Sequence, residues 1–260
     1  MIDVAAGIGW DVRDGVGWVT ISNPARRNAL SVAMMGALAA AVRELDEDAG
    51  ARSIVLVGAG ETFCAGADIS EFAAHHESAE QRQAFDETLS GLFTTLSGLR
   101  TPLIAMIRGH CLGAGMALAL SADLRIAAKG SRFGVPAARL GVGYPMALAE
   151  TLVHVVGPAH AGDILLTART FDDGEALAAG FVNRVVPAGE LEADVLRTAA
   201  AIAANAPLSV RAAKASIRAA AHPELAGRAR ELIAACAGSA DEREGQRAFM
   251  ERRRPDFSGR

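Results

Sequence analysis

The sequence predicts an α/β fold in two parts, a β/α core over residues 1–190 and a helical C-terminal subdomain over residues 191–260. Three observations carry this. The short apolar runs Ser53–Val57, Pro102–Ile107 and Leu124–Ala128 are bounded by turn residues and read as buried strands. Small-residue loops rich in glycine follow the first two of them, and helical patterns come next. From Leu191 onward the pattern is helical, punctuated at Pro207, Pro223 and Gly238. A length of 260 residues allows one or two domains and leaves ample chain for a core.

The elements follow in order. Trp10–Arg13 and Val16–Ser22 alternate in polarity around Asp14-Gly15, a hairpin signal. Ser31 is placed to cap a helix on which Leu30, Met34, Leu38, Val42 and Leu45 recur at helical spacing. Ser70–Gln83 is polar and is a candidate lid. Its His75-His76 pair lacks any partner at metal-ligand spacing and reads as a solvated helix. Phe85, Leu89, Leu92, Phe93, Leu96 and Leu99 then mark the apolar face of a helix. After Tyr144-Pro145 comes a helix over Met146–Val156, stopped by Gly157-Pro158, and a second over His160–Thr167. Phe181–Val186 reads as the last strand.

Composition excludes several classes of function. Hydrophobic residues make up 51% and charged residues 22%, as in ordinary globular proteins. A net charge of −4 provides no basic field for nucleic acid or a membrane surface, so an anionic ligand has to be met by local arginines. Cys64, Cys111 and Cys236 lie far apart without a C-x-x-C, which suits buried thiols in a reducing compartment rather than disulfides or a metal site. No basic-then-apolar leader opens the chain and no apolar run is long enough to span a bilayer. The expected location is the cytoplasm.

The chain is organised around Arg108–Asp123, read as R-G-H-C-L-G-A-G-M-A-L-A-L-S-A-D. A strand, a glycine-rich turn and a helix start leave unpaired backbone N–H groups that glycine lets a ligand approach. No Lys-Ser/Thr pair follows and the G-x-G-x-x-G spacing is absent, so a nucleotide fingerprint is not met. Asp123 at the end of this stretch reads as a local cap or ion pair. The earlier loop Gly58–Ile69 has the same character, and two such loops can each direct one N–H at a single oxygen.

The segment F-C-A-G-A-D-I at 63–69, with G-x-x-L-G-A-G about forty residues later, resembles the paired signature of the crotonase superfamily, the enoyl-CoA hydratase/isomerase family. Phe133–Gly141, Phe171–Pro187 and the tail Glu244–Phe257 continue the resemblance over nearly the whole chain. It implies a crotonase-type spiral β/α core with a helical trimerisation subdomain, and a homotrimer or dimer of trimers. It also implies an acyl-CoA thioester as the small-molecule ligand, with coenzyme A present only as part of the substrate and with no metal or separate cofactor.

On this resemblance the thioester oxygen lies between the N–H groups of Ala67 and Ala114, which stabilise an enolate more than the ground-state carbonyl. Ala65, Gly66, Asp68, Ile69, His110 and Gly113 surround that position. Arg26 and Arg27, in P-x-x-x-N-A-L, face the coenzyme phosphates. Phe249 and Arg253, in the E-G-Q-R-A-F-M-E-R-R-R-P-D-F tail, lie toward its adenine end.

The acid/base half departs from the family. Where hydratases carry two glutamates this chain has Ala117 and Ala137, and Pro145 stands where other members carry an aspartate. Water addition needs one group to activate water and one to deliver a proton. The run P-A-A-R-L-G-V-G-Y resembles the corresponding segment of methylmalonyl-CoA decarboxylases and puts Tyr144, the only tyrosine, at their tyrosine's place. Three readings stay open: a CoA-thioester lyase or isomerase using the two amides, a decarboxylase of a methylmalonyl-type thioester using Tyr144, and a non-catalytic acyl-CoA binding protein.

Overall fold

A computed structural model describes residues 7–48, 50–68 and 79–260. The His75-His76 pair, Ile69 and most of the expected lid lie outside these residues. Strands β1 (Ile8–Arg13) and β2 (Val16–Ile21) form the expected antiparallel hairpin, with Arg13 opposite Val16. Asp14 and Gly15 both take positive φ, 50° and 77°, as a two-residue turn matched to the strand twist requires. Parallel strands β3 (Ser53–Gly58), β4 (Leu103–Ile107), β6 (Leu124–Ala128) and β9 (Arg184–Val186) extend the sheet in the order β1-β2-β3-β4-β6-β9.

The sheet is apolar on both faces, with a period of two. Val19, Ile21, Ile54, Leu56, Leu103 and Ala105 face the larger core, which α1 (Val32–Glu47) and α2 (Ala79–Gly98) help to close. The Ser31 hydroxyl caps α1 by accepting from Met34 N at 3.1 Å, and Met34, Leu38, Val42 and Leu45 are buried as expected. Val16, Trp18, Val55, Ile104 and Met106 face the other way. There α6 (Leu191–Ala203) covers them with Leu191, Val195 and Ala199. The first helix beyond residue 190 is therefore the second layer on the sheet. Helices α7 (Pro207–Ala221), α8 (Ala226–Cys236) and α9 (Ala240–Glu251) follow, broken near Pro207, Pro223 and Gly238 as expected.

The glycine-rich stretch is more than a turn. It contains a strand, β5 (His110–Leu112), which joins β7 (Arg132–Gly134) and β8 (Thr170–Asp172) in a second sheet. Helix α3 (Ala114–Leu120) starts two residues before Met116, with Gly113 at its N-cap. Helix α4 (Met146–Thr167) is interrupted at Gly157 (φ 75°, ψ 162°), where two separate helices were expected. Asp172 and Glu175 form a reciprocal capping box on α5 (Asp173–Ala178). The last strand is shorter than Phe181–Val186, because Phe181 packs edge-on against Phe133 and Phe171 instead (centroids 5.3 and 6.3 Å). Asp123 corrects a local reading. Its Oδ2 accepts from Leu103 N and from Lys214 Nζ, both at 2.7 Å, so it ties α7 to the sheet across 91 residues of chain. No helix among the described residues is long and apolar enough to cross a membrane.

Candidate active site

Two loops leave the C-terminal ends of neighbouring strands, 58–68 after β3 and 108–113 after β4, and they are bonded to each other. Phe63 N donates to Arg108 O (2.7 Å), Cys64 N to His110 O (3.0 Å) and Leu112 N to Cys64 O (3.0 Å). Cys64 and Cys111 thus face each other in a parallel bridge. Their closeness requires glycine at two places. A Cβ on Gly109, whose φ is +59°, would sit 2.0 Å from Glu61 O, and one on Gly115 would sit 2.2 Å from Cys64 O. Both thiols are fully buried. Burial pushes Cys64 up to about 12 and Cys111 well above the usual thiol range, so they are neutral packing groups.

A third strand of chain closes the other side. Leu30 N donates to Gly66 O and Asp68 N donates to Leu30 O, both at 2.8 Å. In such a bridge successive peptide groups point to opposite sides, so the Ala67 N–H points away from Leu30. Ala114 is the first residue of α3, whose first intrahelical bond runs from Ala117 N to Gly113 O. Among the described residues neither the Ala67 nor the Ala114 amide has a main-chain acceptor. Their neighbours meet closely: a Cβ on Gly66 would lie 3.9 Å from Ala114 N, and one on Gly113 would lie 3.7 Å from Gly66 Cα. At seven residues α3 is too short for a sizeable dipole, and the donor that matters is the single amide rather than the helix pole.

Two positioning residues escape a sequence reading. Asn28 is buried with φ 59°, and its Nδ2 donates to Ala59 O (2.9 Å) and Thr62 O (2.6 Å) while its Oδ1 accepts from Asn23 N (2.9 Å). It clamps the 58–68 loop, and the available signal was an asparagine, tolerant of positive φ, in a turn just before a helix. Asn28→Ala is expected to destabilise the fold by about 2–4 kcal/mol, because buried carbonyls lose their donor and alanine resists that φ. A urea melt checks this. Arg125 is buried in β6, donating to Ala122 O (2.6 Å) and Ala119 O (3.3 Å) at the C-terminal end of α3 and to Phe181 O. Burial lowers its pKa to about 10, which leaves it charged at neutral pH. The signal there was a lone arginine inside an apolar strand.

The remaining expected site residues fall as follows. Ala65 is tied by its N–H to Arg27 O (3.1 Å), while the Arg26 and Arg27 side chains are exposed. His110 opens β5, half-buried. Ala117 is buried within α3, and Ala137 is half-buried at the start of a 3-10 turn over Ala137–Leu140. Phe249 is 83% exposed. Arg253 follows α9 in the tail. It is turned onto Glu251 (2.6 Å) and Glu244 (3.0 Å) of its own chain, and with Arg247 it holds the Glu244 carboxyl well below the usual range.

Tyr144 precedes the start of α4. Pro145, rather than Tyr144, is the N-cap of α4, its carbonyl accepting from Leu148 N and Ala149 N, so Tyr144 stands one residue outside the helix. Its ring packs on the main core, as Ala67, Ala114 and Ala137 do. Its hydroxyl is buried with no hydrogen-bond partner among the described residues, and burial raises its pKa, so the phenol stays protonated. Tyr144 also lines a groove of about 1000 Å³ between α2, α4 and α7, with Leu89, Phe93, Leu148, Glu150 and His154. Neither Ala67 nor Ala114 lines that groove.

The sequence matches the enoyl-CoA hydratase/isomerase family over residues 11–260. It is 35% identical over 248 residues to the 2,3-dehydroadipyl-CoA hydratase of Escherichia coli, covering 93% of this chain and 94% of that one. It is 32% identical over 240 residues to the short-chain-enoyl-CoA hydratase of Clostridium acetobutylicum, covering 91% of each. The crystal structure of an enoyl-CoA hydratase/carnithine racemase from Magnetospirillum magneticum superposes with a TM-score of 0.91 at 35% identity, over 98% of this chain and 96% of that one. With its spiral of parallel strands, its two stapled loops and these relatives, the chain belongs to the enoyl-CoA hydratase/isomerase family and has the crotonase fold.

Proposed function

We propose that this enzyme binds an acyl-CoA thioester with the carbonyl oxygen between the amides of Ala67 and Ala114, and that it runs enolate chemistry other than two-carboxylate hydration. The observation that carries the reading is the pair of acceptor-free amides on loops bonded to each other. The named activities of the relatives, on dehydroadipyl-CoA and short-chain enoyl-CoA, support a CoA thioester as substrate. Enolate formation puts negative charge on the thioester oxygen. Donors fixed in advance by the fold stabilise that charge without reorganising. Ala117 and Ala137 stand where, on the family resemblance, a hydratase would hold its acid and base, and a methyl group transfers no proton. Coenzyme A enters only as part of the substrate, and the chain assembles as a homotrimer or dimer of trimers. Exposed Phe249, Met250, Ile217 and Leu166 supply apolar surface for such contacts.

A second reading, decarboxylation of a methylmalonyl-type thioester, is favoured by the Tyr144 hydroxyl, a buried donor with no partner among the described residues. In that reaction the bond from the α-carbon to the carboxylate breaks, CO₂ leaves, and the electron pair becomes the enolate double bond. A proton then returns to the α-carbon, so no base is needed. A neutral phenol can orient the carboxylate by a hydrogen bond. The test is turnover of crotonyl-CoA and of methylmalonyl-CoA by the purified chain. Product from either supports the proposal, whereas stoichiometric binding without product would leave an acyl-CoA binding protein. Tyr144→Phe keeps the ring. If decarboxylation is the reaction, it should lose about a hundredfold or more in kcat with thioester affinity little changed. Equal turnover would return Tyr144 to a packing role.

A further inference from the structure

At the opposite end of the sheet from the two loops lies a cavity of about 270 Å³. Its walls come from Arg52 at the entry to β3, Thr101 and Pro102 before β4, the start of α7, and the tail at 258–260. The length of β3 puts it roughly 20 Å from the Ala67 loop. Three arginines, Arg52, Arg211 and Arg260, line it together with Asn205 and Ser258, and no aspartate or glutamate side chain does. None of the three is ion-paired with a carboxylate among the described residues. The carboxylate that holds the tail is Asp241 of α9, whose oxygens accept from Ser258 N (2.7 Å) and Gly259 N (2.9 Å).

Arg52 supplies a second, independent sign. Its Nη2 donates to Phe257 O at 3.1 Å, while its Nη1 is buried with no acceptor among the described residues. An unsatisfied guanidinium nitrogen in a protein interior is costly, and it marks a place where an acceptor belongs. The fifteen-residue helix α7 begins here with Pro207 at its first position and no side-chain cap, so its early N–H groups are open. The volume amounts to roughly nine liquid waters, room for a small oxyanion but not for a coenzyme.

We infer that the cavity bounded by Arg52, Arg211 and the start of α7 is a binding site for a tetrahedral phosphate-type anion, separate from the thioester site. The ligand is inorganic phosphate or the phosphoryl group of a small phosphate ester. Two guanidinium forks and a helix start match phosphate oxygens better than they match a single carboxylate.

The test is calorimetric titration of the full chain with inorganic phosphate and with glycerol 3-phosphate, against sodium chloride at matched ionic strength. Saturable binding of phosphate at about millimolar or tighter Kd is expected, with chloride inert. Binding of phosphate alone identifies the free ion, and binding of both identifies a phosphoryl group. Arg211→Ala, on the half-buried wall, should weaken binding about tenfold or more while leaving thioester turnover unchanged. Arg52→Met should abolish binding. If that variant unfolds, Arg211→Ala alone decides. No saturable heat with either probe, unchanged affinity in Arg211→Ala, or displacement of phosphate by free coenzyme A would overturn the inference.

Discussion

Replacing Ala114 with proline is expected to lower kcat/KM by about a hundredfold to a thousandfold or more. Ala114 is the first residue of α3, the helical position that tolerates proline best, because its N–H has no intrahelical partner to lose. The substitution therefore spares the helix while replacing the donor with a ring methylene that also crowds the place of the oxygen. The first true helix bond, Ala117 N to Gly113 O at 3.1 Å, stays in place. A donor aimed at a developing oxyanion is worth about 3–4 kcal/mol, and the Ala67 amide would be left to hold the charge alone. Steady-state rates on whichever thioester turns over, with the melting temperature measured alongside, decide the matter. A folded variant at the wild-type rate would take Ala114 out of the site.

Hydration of crotonyl-CoA is expected to run about 10²–10⁴-fold slower than in a hydratase that carries both carboxylates, since that is what positioned acid and base groups contribute. Ala117 is buried within α3 and Ala137 is half-buried in its turn, and both side chains are methyl groups. Loss of the enoyl absorbance in the presence of excess enzyme measures the rate. Hydration at ordinary enzymatic speed would mean that another group moves the protons. Glu150, which lines the groove beside Tyr144, is the first to remove, followed by Asp68.

What could be read in advance divides along the range of the interactions. The Asp14-Gly15 hairpin, the Ser31 cap, the break at Gly157 and the four late helices all depend on residues within a turn of one another, and local chemistry announces them. Strand β5 did not announce itself. Three residues between glycines become a strand only because β7, twenty residues on, and Cys64, almost fifty residues back, supply the partners. Arg125 and Asp123 were visible as charges in apolar surroundings. What they hold, the end of α3 and the Lys214 ammonium, exists only after the chain has closed. The assignment of the two amides rests on glycine spacing and family likeness, and the pairing of Arg253 with Glu244 and Glu251 of α9 became visible only once the tail had folded back on that helix.

The welded loops have a consequence for how such a protein can change. The contacts that the proposed function assigns to the enolate charge are main-chain atoms, positioned by hydrogen bonds between Phe63–Cys64 and Arg108–Leu112 and by the absence of a side chain at Gly109 and Gly115. None of this depends on which residue occupies 117, 137 or 144. The acid and base can be lost or exchanged as separate acquisitions while the apparatus that tames an enolate passes on intact. A lineage can therefore give up one reaction without surrendering the means to perform the next.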